Sequence, residues 1–186
     1  MVKRVVLLLL PLMCLASPLQ AQDYAGLEIG FGYANWGVDI PSFTGPPTTE
    51  RSSGFAMHTN LNFTSWFGID NYLGAYSFPT ESLIGENLTA YYNVFGVKLT
   101  KREVLGGRIS PYVVAGFGGG TVTTRQGFGF SSAAARYGGG ADFRLSDGFA
   151  LRVDASNLAI GNNLVDDSWS SNFNLATSVI FGLGGF

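Results

Sequence analysis

The sequence predicts an all-β chain that folds as an eight-stranded antiparallel up-and-down barrel. Apolar and polar side chains alternate with a period of two in eight segments of about ten residues. The composition combines 26 glycines and 14% aromatic residues with only 13% charged residues, about half the usual share of a soluble domain. A length of about ten residues is also what a tilted strand needs to cross a bilayer.

Residues 1–21 have the pattern of a secretory signal peptide. Lys3 and Arg4 precede an apolar run of about a dozen residues, and the small residue Ala21 closes the segment. The run is shorter than the roughly 18 to 20 residues of a spanning helix. We therefore expect cleavage after Ala21 and assign residues 22–186 to one barrel domain. Cys14 is the one cysteine of the sequence, so the cleaved chain has none and must be stabilised by strand pairing and packing.

The alternation defines the strands in chain order. Strand one, 26–36, places Ile29, Phe31 and Tyr33 on one face. Strand two lies in the stretch GFAMHTNLNFTSWFGID (54–70) and ends before Ser65-Trp66. The remaining predicted strands are 67–77, 89–100, 109–122, 133–146, 149–157 and 172–186. Strand five is apolar or glycine on both faces and begins near Pro111, so the sequence leaves its phase open.

The predicted connections alternate in length. They are long at 37–52, 78–88, 123–132 and 158–171, and shorter at 65–66, 101–108 and 147–148. Long extracellular loops and short periplasmic turns alternate in this way in membrane barrels of bacterial outer membranes. An even number of strands also brings both chain ends to the periplasmic side. The pattern therefore favours a transmembrane barrel over a soluble one.

The apolar face is predicted to point outward into lipid. The opposite face is mostly glycine, alanine, asparagine and charges of both signs, a poor coat for a soluble protein. Aromatic residues near the predicted strand ends fit an interfacial girdle; they are Tyr33, Phe55, Phe67, Tyr91, Phe149 and Phe173. The alternative is a soluble, lipocalin-like binding barrel, in which the aromatic face would line a ligand cavity.

With this orientation the lumen contains a polar network. Its predicted members are Glu28, His58, Asp70, Lys98, Arg136, Asp142, Arg144, Arg152 and Asp154. If the turn at Asp147 is tight, Asp142 and Arg152 are cross-strand neighbours. Because an unpaired buried charge costs several kcal/mol, these charges are expected to pair. An eight-stranded barrel is just wide enough for side chains to fill, which disfavours the alternative of a small-solute pore.

Enzymatic, metal and nucleic-acid chemistry have little support. His58 is the one histidine, and the residue two positions further is Asn60, whereas an activated nucleophile needs a base within reach. One histidine and no cysteine in the cleaved chain make a zinc or copper site improbable, and no cofactor is predicted. Without Lys3 and Arg4, nine of the 11 basic residues remain beside 13 acidic residues. The resulting net charge of −4 argues against nucleic-acid binding. A lipid A-modifying enzyme stays open as an alternative.

Four features occur in order along the chain: TSWFGID, ISPYVVAGFGGG, GGGADFRLSDGFALRVD and a terminal Phe186. Together they resemble the small bacterial outer-membrane β-barrel proteins typified by the OmpA transmembrane domain and OmpX, which include porin-like, opacity-type barrels. The resemblance covers residues 22–186. It implies an outer-membrane location among lipid and lipopolysaccharide. It also implies insertion by the outer-membrane assembly machinery, with Phe186 as the assembly signal, although Phe186 is out of phase with Phe181 and Leu183.

Function on such a scaffold is expected in the loops, where sequence is least constrained by pairing. Asp166, Asp167 and Trp169 are the candidate contact residues for a host molecule, lipopolysaccharide or a divalent cation. We therefore predict a non-enzymatic outer-membrane protein with a structural or surface-interaction role, in adhesion or envelope integrity.

Overall fold

The computed structural model forms a closed barrel in which each strand pairs with its chain neighbours and the last strand pairs with the first. It describes residues 26–40, 48–78, 88–102, 104–124, 129–161 and 169–183. No helix in this part of the chain is long and apolar enough to cross a membrane. The predicted fold class is confirmed. The strands are β1 (Leu27–Ile40), β2 (Thr48–Asn62), β3 (Phe67–Phe78), β4 (Leu88–Thr100), β5 (Ile109–Thr124), β6 (Gly129–Ser146), β7 (Phe149–Gly161) and β8 (Trp169–Leu183).

The connections define the two ends of the barrel. We call the end with segments 41–47, 79–87, 125–128 and 162–168 the loop end, and the end with 63–66, 101–108 and 147–148 the turn end. The expectation of strictly long and short connections was wrong: 125–128 has four residues at the loop end and 101–108 has eight at the turn end. The reason is that β5 and β6 keep pairing as far as Thr123 and Gly129, beyond their apolar alternation.

Burial follows the pleat of the strands and settles which face points outward. On β4, Tyr91, Phe95 and Leu99 are 53%, 57% and 43% exposed, while the intervening Tyr92 and Lys98 are buried. The six predicted girdle residues all lie in the outward phase of their strands. The phase of β5, which the sequence left open, puts Tyr112 and Val114 in the lumen and Val113 and Phe117 outside.

Two inward-facing glycines leave room for aromatic rings in the lumen. A Cβ atom on Gly140 would lie 2.7 Å from the hydroxyl oxygen of Tyr112 and 2.1 Å from the carbonyl oxygen of Val153. A Cβ atom on Gly120 would lie 2.2 Å from the ring of Tyr92. Real side chains do not tolerate such distances. The glycine runs GFGGG and YGGGAD therefore allow large lumen side chains to pack against the barrel wall.

Candidate functional site

The lumen near the turn end holds a group of charges that we call the Glu28 cluster: Glu28, Lys98, Arg102, Asp142 and Arg152. The carboxylate of Glu28 accepts hydrogen bonds from Lys98 Nζ at 3.0 Å, Arg152 Nη2 at 3.0 Å and Arg102 Nη2 at 3.1 Å. Glu28, Lys98 and Arg152 are almost completely buried. Charge-assisted hydrogen bonds of this kind are stronger than neutral ones. The cluster thus ties β1 to β4 and β7 across the lumen.

Asp142 is the second carboxylate of the Glu28 cluster. It accepts from Arg152 Nε at 2.6 Å and Nη2 at 2.7 Å, and from Lys98 Nζ at 3.2 Å. Asp142 and Arg152 are directly opposite each other on β6 and β7, as predicted. The tight turn alone does not set this pairing: continuing the register of Ser146 opposite Phe149 would place Asp142 opposite Val153, and the register shift between Arg144 and Ser146 brings it opposite Arg152. The side-chain amides of Asn60 and Asn62 complete the coordination of Glu28, at 3.2 Å and 2.8 Å.

A second group of charges, the Arg136 cluster, consists of Asp70, Arg136 and Asp154. The guanidinium of Arg136 donates to Asp70 at 2.7 Å and to Asp154 at 2.6 Å. Tyr112 joins the two clusters: its hydroxyl donates to Asp154 at 2.7 Å, and Lys98 Nζ lies 4.9 Å from the centre of its ring. Each cluster satisfies most of its charges internally, which is the condition under which buried ions are tolerated.

Together the two clusters contain four acids and four bases. The acids are Glu28, Asp70, Asp142 and Asp154, and the bases are Lys98, Arg102, Arg136 and Arg152. The structure therefore brings seven of the nine predicted network residues into these ion pairs. His58 and Arg144 are the two that it leaves outside them.

Arg144 was expected in the lumen but lies at the turn end. It forms an ion pair with Asp147 at 2.6 Å, and the Asp147 side chain is 96% exposed. Arg144 is still paired in register with the buried Ala150, and the register shift of β6 follows it before Ser146. Its side chain therefore lies where the strand leaves the lumen, within reach of the turn residue Asp147. Arg102 takes a place in the Glu28 cluster instead. In the sequence Arg102 falls in the predicted connection 101–108, and it was not predicted as a lumen residue.

Aromatic side chains fill the lumen on the other side of the Arg136 cluster. Trp36 packs against Tyr76, Phe78 and Tyr92 with ring centroids 5.0, 5.4 and 5.1 Å apart. We call these four residues the aromatic cluster. They are at most 7% exposed. These four residues were not predicted in the lumen. Tyr76 has the same phase as Asp70, and Tyr92 has the same phase as Lys98, and this signal could have identified both.

Hydrogen bonds connect the aromatic cluster to the charges. The hydroxyl groups of Tyr72 and Tyr76 are hydrogen-bonded to each other, and Tyr76 donates to the side-chain oxygen of Asn174 at 2.9 Å. The guanidinium of Arg136 lies 4.4 Å from the centre of the Tyr72 ring. Ion pairs, hydroxyl groups and rings thus form a continuous filling along the lumen.

His58 is buried in the lumen beside Tyr72, with the two ring centroids 5.1 Å apart. Neither ring nitrogen has a hydrogen-bond partner among the described residues. In the described part of the chain, no serine or threonine therefore bonds to His58 as an activated nucleophile would. Within the described ranges, no three acidic, histidine or cysteine side chains are arranged to hold a metal ion.

The predicted loop contacts are placed only in part. Trp169 was expected in the connection 158–171 but is the first residue of β8. Its side chain is 49% exposed and lies 6.2 Å from Phe117, so it belongs to the outward aromatic surface near the loop end. Strand pairing continues three residues before the alternation that predicted β8. Asp166, Asp167, Phe186 and the predicted signal peptide 1–21 lie outside the described residues.

The model of the outer membrane protein beta-barrel domain family matches residues 5–181. The solved structure of Neisserial surface protein A (NspA) is similar with a TM-score of 0.65 and 12% identity, over 86% of this chain and 98% of that one. Ail, the attachment invasion locus protein of Yersinia pestis, is similar with a TM-score of 0.54 and 19% identity, over 85% of this chain and 99% of that one. For Ail in complex with the heparin analogue sucrose octasulfate, the TM-score is 0.52 and the identity 21%, over 83% of this chain and 97% of that one. The TM-scores show a shared fold, and at these low identities the similarity shows the fold alone. No curated protein shows a significant match.

Proposed function

Since this chain belongs to the outer membrane protein beta-barrel domain family, we propose that it is a non-enzymatic barrel with a structural or surface-interaction role. The protein lies in the outer membrane, surrounded by lipid and lipopolysaccharide. Its part in adhesion or envelope integrity would be carried by the loop end. The signal peptide 1–21 and recognition of Phe186 by the assembly machinery are part of the same proposal.

The filled lumen is the observation that carries this proposal. The Glu28 cluster, the Arg136 cluster and the aromatic cluster occupy the lumen in succession, and nearly all of their side chains are buried. A water-filled channel needs a lumen lined by hydrated side chains rather than by ion pairs and packed rings. This arrangement supports a barrel wall that holds loops in place, and it gives the alternative of a small-solute pore no support.

The position of His58 supports the non-enzymatic part of the proposal. A lipid A-modifying enzyme must present its base and nucleophile to a lipid outside the barrel. His58 is inside, fully buried, beside Tyr72. We expect His58→Phe to leave the lipid A of the host cell unchanged, as measured by mass spectrometry of lipid A from cells that express each form. A difference that depends on His58 would make the enzyme the better explanation.

The charge of the loop segments indicates the class of partner. The four connections at the loop end contain Glu81, Glu86, Asp166 and Asp167 as acids and Arg125 as the one base. Sucrose octasulfate, present in the Ail complex, is a sulfated polyanion. Like charges repel across an interface and opposite charges speed encounter. For this chain we therefore propose a cationic partner surface, or a bridging divalent cation, rather than a sulfated glycan.

Conductance in planar bilayers tests the filled lumen. The refolded protein is expected to give no steady channel current. The double variant Trp36→Ala/Tyr92→Ala, which removes two rings of the aromatic cluster, serves as an opened control. Steady wild-type currents of the kind a water-filled barrel produces would contradict the proposal.

Binding to charged probes tests the loop surface. Protein in nanodiscs is expected to bind an immobilised oligolysine peptide and not immobilised sucrose octasulfate. Asp166→Asn/Asp167→Asn is expected to weaken the peptide binding. Glu103→Gln/Asp147→Asn, in the connections 101–108 and 147–148 at the opposite end, serves as a control with the same charge change. Tight binding of the sulfated sugar would show that the net charge of the loops does not select the partner.

A further inference from the structure

A shallow groove opens on the outer surface of the barrel at the turn end. It has a volume of about 370 Å³, and its walls include Trp66, Leu99, Lys101, Pro111 and Val113. Backbone hydrogen bonds join these walls. The Thr100 N–H donates to the Trp66 carbonyl oxygen at 2.9 Å, and the Lys101 N–H donates to the Pro111 carbonyl oxygen at 2.9 Å. The groove is therefore built on paired backbone rather than on a loose connection.

The groove is apolar on one side and cationic on the other. Leu99 and Val113 are 43% and 56% exposed in the lipid-facing phase of β4 and β5. Trp66, 60% exposed, lies at the boundary between the strands and the turn 63–66. A second depression of about 370 Å³ shares Trp66 and Lys101 and continues over the polar residues Ser65 and Arg102. Along the barrel axis, the surface thus changes from hydrocarbon-facing to polar within one site.

Among the residues that the structure describes at this site, Lys101 is the cation without an ion-pair partner. The neighbouring Arg102 donates to Glu28 in the lumen at 3.1 Å and to the Ser65 carbonyl oxygen at 3.1 Å. The Lys101 side chain is exposed and makes no ion pair with any described residue. Its ammonium group can therefore receive an anion at the level where the apolar wall ends.

We propose that this groove binds an anionic phospholipid of the periplasmic leaflet, with its headgroup phosphate on Lys101 and an acyl chain along Leu99 and Val113. The turns 63–66 and 147–148 lie at this end of the barrel, as do the first and last described strand residues, Leu27 and Leu183. Short turns are typical of the periplasmic end of outer-membrane barrels, so we place the groove at the inner-leaflet headgroups. Tryptophan favours this interface because its ring is apolar and its N–H is polar. A lysine near an anionic lipid surface gains about a five-fold preference for it. The site is independent of the loop-end role.

Fluorescence quenching by brominated lipids tests this site in the full cleaved chain. Nanodiscs of phosphatidylcholine contain a minor fraction of either brominated phosphatidylglycerol or brominated phosphatidylcholine. The contribution of Trp66 is the difference between each protein and its Trp66→Phe derivative. We expect phosphatidylglycerol to quench Trp66 as if enriched about five-fold over the bulk lipid.

Three variants separate the site from general charge. Lys101→Gln is expected to abolish the enrichment, and Lys101→Arg to keep it. Arg108→Gln removes an exposed turn-end cation that does not line the groove, and it is expected to leave the enrichment intact. Heat-dependent gel migration confirms that each variant is folded.

Several results would overturn the proposal. No enrichment in the wild type, or full enrichment in Lys101→Gln, would remove the site. Equal losses in Lys101→Gln and Arg108→Gln would assign the effect to the overall potential of the turn end. Loss of the enrichment on adding inorganic phosphate would indicate a site for free anions rather than for the lipid.

Discussion

Replacing Glu28 by glutamine is expected to destabilise the barrel by about 3–5 kcal/mol, the usual cost of removing one partner from a buried ion pair. Glutamine keeps the shape of the side chain but removes its charge. Lys98, Arg102 and Arg152 would then face Asp142 as the one remaining carboxylate of the Glu28 cluster. The glutamine NH₂ group would also point at donors, because each described side chain that is hydrogen-bonded to Glu28 donates to it.

The magnitude follows from the same contacts. Three charge-assisted hydrogen bonds at about 1.5–3 kcal/mol each would contribute about 4.5–9 kcal/mol if they were additive, mostly above the expected range. They share one carboxylate and are therefore not additive. The Arg102 side chain is 12% exposed and can regain water, whereas Lys98 and Arg152 cannot. The expected loss of stability therefore corresponds to the hydrogen bonds that Glu28 makes with the two fully buried cations, Lys98 and Arg152.

Urea unfolding in lipid vesicles, followed by tryptophan fluorescence and by gel migration without boiling, measures the effect. Arg144→Gln is the matched control, since its pair with the exposed Asp147 should contribute at most about 1 kcal/mol. Adding Lys98→Met to Glu28→Gln removes the excess positive charge and is expected to restore part of the loss. A Glu28→Gln loss as small as that of Arg144→Gln, or a further loss in the double variant, would refute the reasoning.

Three further substitutions test other parts of the barrel by the same unfolding measurement. Gly140→Val places atoms against Tyr112 and Val153 and is expected to cost about 1–3 kcal/mol by overpacking; an unchanged midpoint would contradict the close approach. Tyr76→Phe leaves the buried Asn174 oxygen without its donor and is expected to cost about 1–3 kcal/mol. Phe95→Lys, at an outward position near the middle of β4, is expected to cost about 2–4 kcal/mol in a bilayer; a smaller loss would mean that Phe95 does not face lipid.

The phase of most strands could be predicted from sequence because one face meets lipid and the other a polar lumen. In β2 the apolar Phe55 and the polar His58 have opposite phases, and the structure places them outside and inside. The pairing of Asp142 with Arg152 could also be predicted, because both residues lie in the polar phase of strands joined by a short turn; the one-residue register shift that allows it left no signal in the sequence. In β5 both phases are apolar or glycine, so the sequence contained no signal to choose between them.

Contacts across the lumen could not be predicted in the same way. Lys98 meets Glu28, and Arg136 meets Asp70, although their strands are not neighbours in the sheet. Which side chains meet across a barrel depends on strand tilt and shear, which are properties of the closed sheet. Strand ends were missed for a different reason. Apolar alternation marks where a strand faces lipid, whereas backbone pairing continues through polar residues, as with Ser53 opposite Ser77.

The ion pairs across the lumen bear on how the barrel is made. Glu28 belongs to the first strand and Arg152 to the seventh, and the two residues are 124 positions apart in the chain. While the sheet is open, these charges remain in contact with water, and an open edge also leaves backbone groups unpaired in a membrane. When β1 pairs with β8, the charged side chains are dehydrated and form their ion pairs at the same time. Closure of the barrel and dehydration of its interior should therefore be a single late step of assembly, with no stable half-closed form inside the bilayer.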